Sequence, residues 1–113
     1  MERETPWGRL TVGEDVIATL AGLATVESYG VVGMIPRGVS EGLQELLRRE
    51  NLARGVQVRE EDGRLEVDVY VVVGYGVRIA EVGRAIVEHI GFRLQDAVGV
   101  RPQRITVHVQ GVR

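Results

Sequence analysis

A chain of 113 residues with 44% hydrophobic and 27% charged side chains is long enough for one self-supporting core and too apolar for disorder. It has no cysteine, which excludes disulfides, thiolate metal sites and a cysteine nucleophile, and fits a reducing compartment. Net charge is −2 and all 14 basic residues are arginine; without the basic excess of a phosphate-tracking protein, nucleic acid is not an expected partner.

The stretch 1–8 is polar and mixed in charge, with no apolar core of a signal peptide. Gly8 to Val12 reads as a short strand. Gly13 then serves as a helix N-cap, with Glu14 and Asp15 set against the dipole in the first turn. Ile17, Leu20, Ala21, Leu23 and Ala24 follow with a helical period. The opposite side is small and uncharged, and Ala18, Gly22 and Thr25 there are expected to pack closely, inside the domain or against a second subunit. The longest uncharged run, Val16 to Val26, is 11 residues, well short of the roughly 20 that span a bilayer. The chain is therefore expected to stay in the cytoplasm, with any membrane association made through a partner or a surface.

Ser28-Tyr29-Gly30 closes the first helix, with Gly30 as the residue just past its cap. Val31 to Ile35 reads as a buried strand, stopped by Pro36. A short helix is predicted over Ser40 to Glu50, with Leu43, Leu46 and Leu47 inward and Asn51 as its stop. Gly55 to Glu60 and Arg64 to Val73 form a hairpin across Glu61-Asp62-Gly63, since Asp-Gly favours hairpin turns. In its second strand Leu65, Val67, Val69, Val71 and Val73 take one face; Glu66, Asp68 and Tyr70 take a face expected to meet water. A third helix runs from Val77 to Val98, its apolar stripe being Ile79, Val82, Gly83, Ile86, Val87, Ile90 and Leu94. Phe92 falls off that stripe, beside Glu88 and His89. Either the helix breaks at Gly91 and turns the ring inward, or a neighbouring loop partly covers it, or Phe92, with Glu88 and His89, anchors a contact with a second subunit or partner. Arg104 to Gln110 is the last strand. The order βαβ-α-ββαβ predicts an α+β fold: a single two-layer domain spanning 1–113, with a mixed sheet of about four to five strands, two main helices and one short helix.

The side chains offer little chemistry. Ser28 and Ser40 occupy capping positions, and His89 and His108 lie 19 residues apart with no second ligand at helical or strand spacing. No catalytic, cofactor or metal residue is assigned; the chain is expected to be no enzyme and to hold no cofactor. Gly74-Tyr75-Gly76 lacks the third glycine of a dinucleotide fingerprint and the lysine of a P-loop. Gly30-Val31-Val32-Gly33 has the spacing of an RNA-clamping KH loop, but its interior is apolar, leaving RNA binding a weak alternative. Arg48, Arg49 and Arg54, with Arg59 on the next strand, are candidates for an anionic partner, because guanidinium forks suit carboxylate and phosphate.

Gly-Arg-Leu-Thr-Val at 8–12 with Val16-Ile17-Ala18, Tyr29-Gly30-Val31-Val32-Gly33-Met34, the crossover Val69 to Val73 with Tyr75-Gly76 and Ile79 to Val82, and the closing Val109-Gln110-Gly111-Val112 together resemble the alkaline-shock family. The match runs from about Gly8 to Val112. Leu46 to Asn51 with Arg54 to Val58 resembles its YloU-like branch. The family usually has serine where this chain has Gly13, which alters a cap only. The resemblance implies a non-enzymatic, Gram-positive envelope-stress protein acting as a scaffold by self-association. It also implies a homo-oligomer, and a partner that is a membrane-anchored protein or an enzyme of fatty-acid metabolism. The alternative it leaves open is a small regulatory module that binds an anionic ligand or a lipid-synthesis enzyme through the arginine group.

Overall fold

The segment with the clearest alternation becomes the spine of the molecule. In the computed structural model, which describes residues 1–38 and 45–113, it is the central strand of a four-stranded sheet. In chain order the strands are β1 (Glu2–Thr5), β2 (Gly8–Thr11), β3 (Val31–Met34), β4 (Val56–Glu61), β5 (Arg64–Val73) and β6 (Arg104–Val112). Helix α1 (Glu14–Val26) lies between β2 and β3, a 3-10 helix (Arg49–Gly55) precedes β4, and α2 (Ile79–Val98) joins β5 to β6. One edge of β5 pairs antiparallel with β4 and then with β3; the other pairs parallel with β6. A parallel neighbour needs a crossover, and α2 supplies it. Asp62 at φ 54° and Gly63 at φ 76° make a turn of the primed kind, which matches the twist of β4 and β5.

Both long helices cover one face, as the element order predicts. Leu65, Val67, Val69, Val71 and Val73 are buried beneath them, against Ile17, Ala21 and Ala24 of α1 and Val82, Ile86, Ile90, Leu94 and Val98 of α2. Helix α1 packs on β3, β4, β5 and the 3-10 helix, whereas α2 packs on α1 and β6. Gly13 is the N-cap of α1, but the helix ends at Val26 with Glu27 as C-cap, so Gly30 (φ 89°) belongs to the turn beyond it. The small face of α1 packs inside the domain: a Cβ added to Gly22 would come 2.9 Å from Leu52 Cβ in the 3-10 helix, and Ala18 and Thr25 are buried.

Elsewhere the tertiary structure corrects the pattern. Strand β2 does not join the main sheet; it pairs with β1 as a separate ribbon. Polar Glu2, Arg3 and Glu4 carry no alternation signal, so β1 is written in backbone pairing alone. Of the expected helix Ser40–Glu50, residues 45–48 are irregular and a 3-10 helix begins at Arg49, while Ser40 and Leu43 lie outside the described residues. Leu47 N–H donates to Met34 O at 2.8 Å, so this segment follows the edge of β3 instead of bonding to itself. Asn51 stops nothing and sits at the kink within the 3-10 segment. The second face of β5 is also drier than alternation implied, with Val72 and Asp68 buried. Leu46 lies against Gly33, the register partner of Val72. Finally, α2 runs unbroken through Gly91. Its buried stripe is narrower than its apolar sequence: Ile79 is 46% exposed and Val87 36%, and nothing lies within 4 Å of a Cβ built on Gly83.

Candidate functional site

The core is aliphatic, and the aromatic residues stand outside it. Of one Trp, three Tyr and one Phe, four are strongly exposed: Trp7 91%, Tyr29 85%, Tyr75 89% and Phe92 67%. Trp7 tips the β1–β2 ribbon. Tyr29 and Tyr75 share one end of the sheet, where Gly74 N–H donates to Gly30 O at 2.9 Å. There Tyr29 walls a shallow groove floored by Val77 and Val82 and rimmed by Arg78 and Glu81. Only Tyr70 is inside the fold's polar network. Its ring stacks on His108 with centroids 4.5 Å apart and planes 7° from parallel.

The sequence separated the serines from the histidines, and the fold brings one pair together. Ser28 Oγ is 2.8 Å from His89 Nδ1 and 2.9 Å from Ala24 O. A carbonyl can only accept, so the single hydroxyl proton goes to Ala24 O, a last-turn carbonyl of α1. His89 Nδ1–H then donates to Ser28 Oγ, and the imidazole is not placed to take the serine's proton. Ser28 is also 3% exposed. The pair is a clasp between α1 and α2, reinforced by Arg93, which donates to Glu27. Glu88 is exposed and pairs with Arg84. With Phe92 it marks the outer side of α2, whereas His89 is turned to α1 and does not join them in one contact.

Arg48, Arg49 and Arg54 are exposed, and no side-chain ion pair to them occurs among the described residues. Arg48 and Arg54 line one shallow groove with Pro36, Leu46, Leu47, Asn51 and the carboxylate-bearing Glu45. Arg59 is not part of this group. It lies on the helix-free face of the sheet, donating to Glu66 at 3.2 Å and to Asp68 at 2.8 Å. The Glu66 hydrogen bond, then the charge of Asp68, hold its guanidinium above the ordinary arginine range. His108 Nε2 meets the other oxygen of Asp68 at 2.8 Å. Asp68 is thus a buried carboxylate held from both sides, a polar cluster that alternation along one strand could not reveal because its members come from β4, β5 and β6.

Among the described residues no helix is long and apolar enough to cross a membrane. The sequence profile of the alkaline shock protein 23 family, cell envelope-related function, matches residues 2–113. The chain is 38% identical over 114 residues to the protein YloU of Bacillus subtilis (strain 168), covering 100% of this chain and 95% of that one. It is 40% identical over 107 residues to the protein Spy1614 of Streptococcus pyogenes serotype M6, covering 94% of this chain and 88% of that one. A second B. subtilis protein, YqhY, is 32% identical over 111 residues, covering 97% of this chain and 81% of its own length. No solved structure matches the chain.

Proposed function

The chain belongs to the alkaline shock protein 23 family, whose function is cell envelope-related, and from that premise we propose that it serves the envelope without catalysis, as a scaffold that self-associates and docks a partner. The observation that carries this reading is the outward placement of four of the five aromatic side chains. Aromatic rings concentrate the energy of interfaces, and this domain builds its core without them. The partner is a membrane-anchored protein, which sets the protein at the inner face of the membrane, or an enzyme of fatty-acid metabolism. Light scattering on the pure protein and capture from native lysate, with mass spectrometry of what co-purifies, test the reading. Assembly of the pure protein is expected, together with a stoichiometric partner whose capture weakens when Tyr29 and Tyr75 are changed to Ser at unchanged melting temperature. A monomer that captures nothing, or captures equally without those rings, overturns it. Turnover abolished by Ser28→Ala or His89→Ala would refute the non-enzymatic part.

A second reading, anion binding, is favoured by the shared groove of Arg48 and Arg54, in which neither forms an ion pair among the described residues, with Glu45 of the same groove included. The two readings separate by ligand: a protein partner held through the aromatic rings, or phosphate and carboxylate held through the arginines.

A further inference from the structure

Strand β6 is one edge of the main sheet, with β3 and β4 at the other. It spans Arg104–Val112, nine residues, and β5 is its only strand neighbour among the described residues. Long edge strands are normally protected by proline, lysine, inward charge or a covering element, because their unpaired amides and carbonyls template another strand. Past Arg104, β6 has no charged residue and no proline; a bulge at Gln110, opposite Val71 and Val72, interrupts it only near its C-terminal end, leaving Arg104 to Val109 regular. Above it, the N-terminal half of α2 turns the uncharged residues Ala80, Gly83 and Val87 outward, while farther along the Arg101 guanidinium lies against Gly91. Helix α1 occupies the other side of α2, where His89 and Arg93 reach Ser28 and Glu27. A helical wheel puts Ala80, Gly83 and Val87 on the side away from those contacts, with Ile79 at its margin. Ile79 and Val87 are partly exposed, as is Val112 at the end of β6. Gly83 faces open space, which leaves an unexplained glycine in the middle of a helix, where it weakens the isolated chain.

We infer that this side of the molecule is a dimer interface: β6 pairs antiparallel with β6 of a second copy, and α2 packs on its counterpart at Gly83. The proposal rests on the self-association put forward above and names its surface. A strand edge demands a strand, and a two-fold axis sets each copy's edge and helix flank against the same elements of the other. Size agrees. A nine-residue strand and a 20-residue helix are each about 30 Å long. Two layers of that length, each about 10 Å deep, present roughly 600 Å² per copy before side-chain relief, close to the ~800 Å² per partner of a standard interface. The small face of α1, the other candidate for self-association, is already filled by the 3-10 helix.

Gly83→Glu provides the test, because the open space at Gly83 lets a single subunit accept the side chain. Sedimentation and light scattering on the parent should give about twice the 12.4 kDa chain mass. The variant should be monomeric, with its dissociation constant raised at least about 100-fold and its melting temperature measured at high dilution equal or higher. The chain has no cysteine, so Val87→Cys should oxidise to a covalent dimer while Phe92→Cys, on the other side of α2, should not. If the parent assembles but Gly83→Glu leaves the assembly intact, or Phe92→Cys cross-links in place of Val87→Cys, this interface is wrong and self-association stands by another surface. A parent that stays monomeric at every concentration overturns both.

Discussion

Phe92 sits one residue past Gly91 on a helix that does not bend there, so its ring remains outside at 67% exposure. A core phenylalanine would cost about 3–5 kcal/mol on truncation. Phe92→Ala is therefore expected to change stability by no more than about 0.5 kcal/mol in urea denaturation, while weakening capture of a partner. Loss on the scale of a core residue would mean the ring is covered in solution. Ser28 makes the opposite case: a small polar residue that matters through burial. Ser28→Ala removes the donor to Ala24 O and the acceptor of His89 Nδ1–H. The cost expected is about 1 kcal/mol, with partner capture unaffected. An unshifted denaturation midpoint would show that the clasp contributes nothing.

At the scale of elements, α1 shows why small residues on a helix need a neighbour before they have a meaning. Ala18, Gly22 and Thr25 let the 3-10 helix approach until Leu52 Cβ stands 2.9 Å from where a Cβ of residue 22 would be. Gly22→Leu must push that segment away, at roughly 1–3 kcal/mol for overpacking, read as a lowered melting temperature of the monomer. An unchanged melting curve would mean that the 3-10 helix does not rest on α1. The same residues were compatible with an intersubunit face, because sequence records that a face is small and not what lies against it. The 3-10 helix was misplaced for a related reason. Leu43, Leu46 and Leu47 have a helix-compatible spacing, yet the Leu47 amide is taken by Met34 O, and sheet pairing overrides a short helix that nucleates poorly.

For the whole molecule, the arginines divide into two populations. Arg59 is neutralised by Glu66 and Asp68, whereas Arg48, Arg49 and Arg54 face solvent. Exposed charges add little to folding, so changing Arg48, Arg49 and Arg54 together to Gln should leave the melting temperature nearly unchanged. Retention on phosphate resin and capture by anionic vesicles should fall, and the parent's binding should weaken as salt rises. Equal capture by the triple variant would reduce the group to a solvated face.

The α+β order, the hairpin at Asp62-Gly63, the Gly13 cap and the core-facing valines of β5 were all legible in the chain, because each is set by residues within one turn or one strand of each other. Period, cap chemistry and turn chemistry are local, and they survive without a partner in space. Contacts between distant segments needed the tertiary structure: the β1–β2 ribbon, the Ser28–His89 clasp across 61 residues, the Asp68 cluster drawn from three strands, and the outward turn of Gly83. Alternation says which residues share a face, and only packing says what meets that face. Four exposed aromatics read from composition look like ordinary core material, and it is the closure of an aliphatic core without them that leaves them free for a partner.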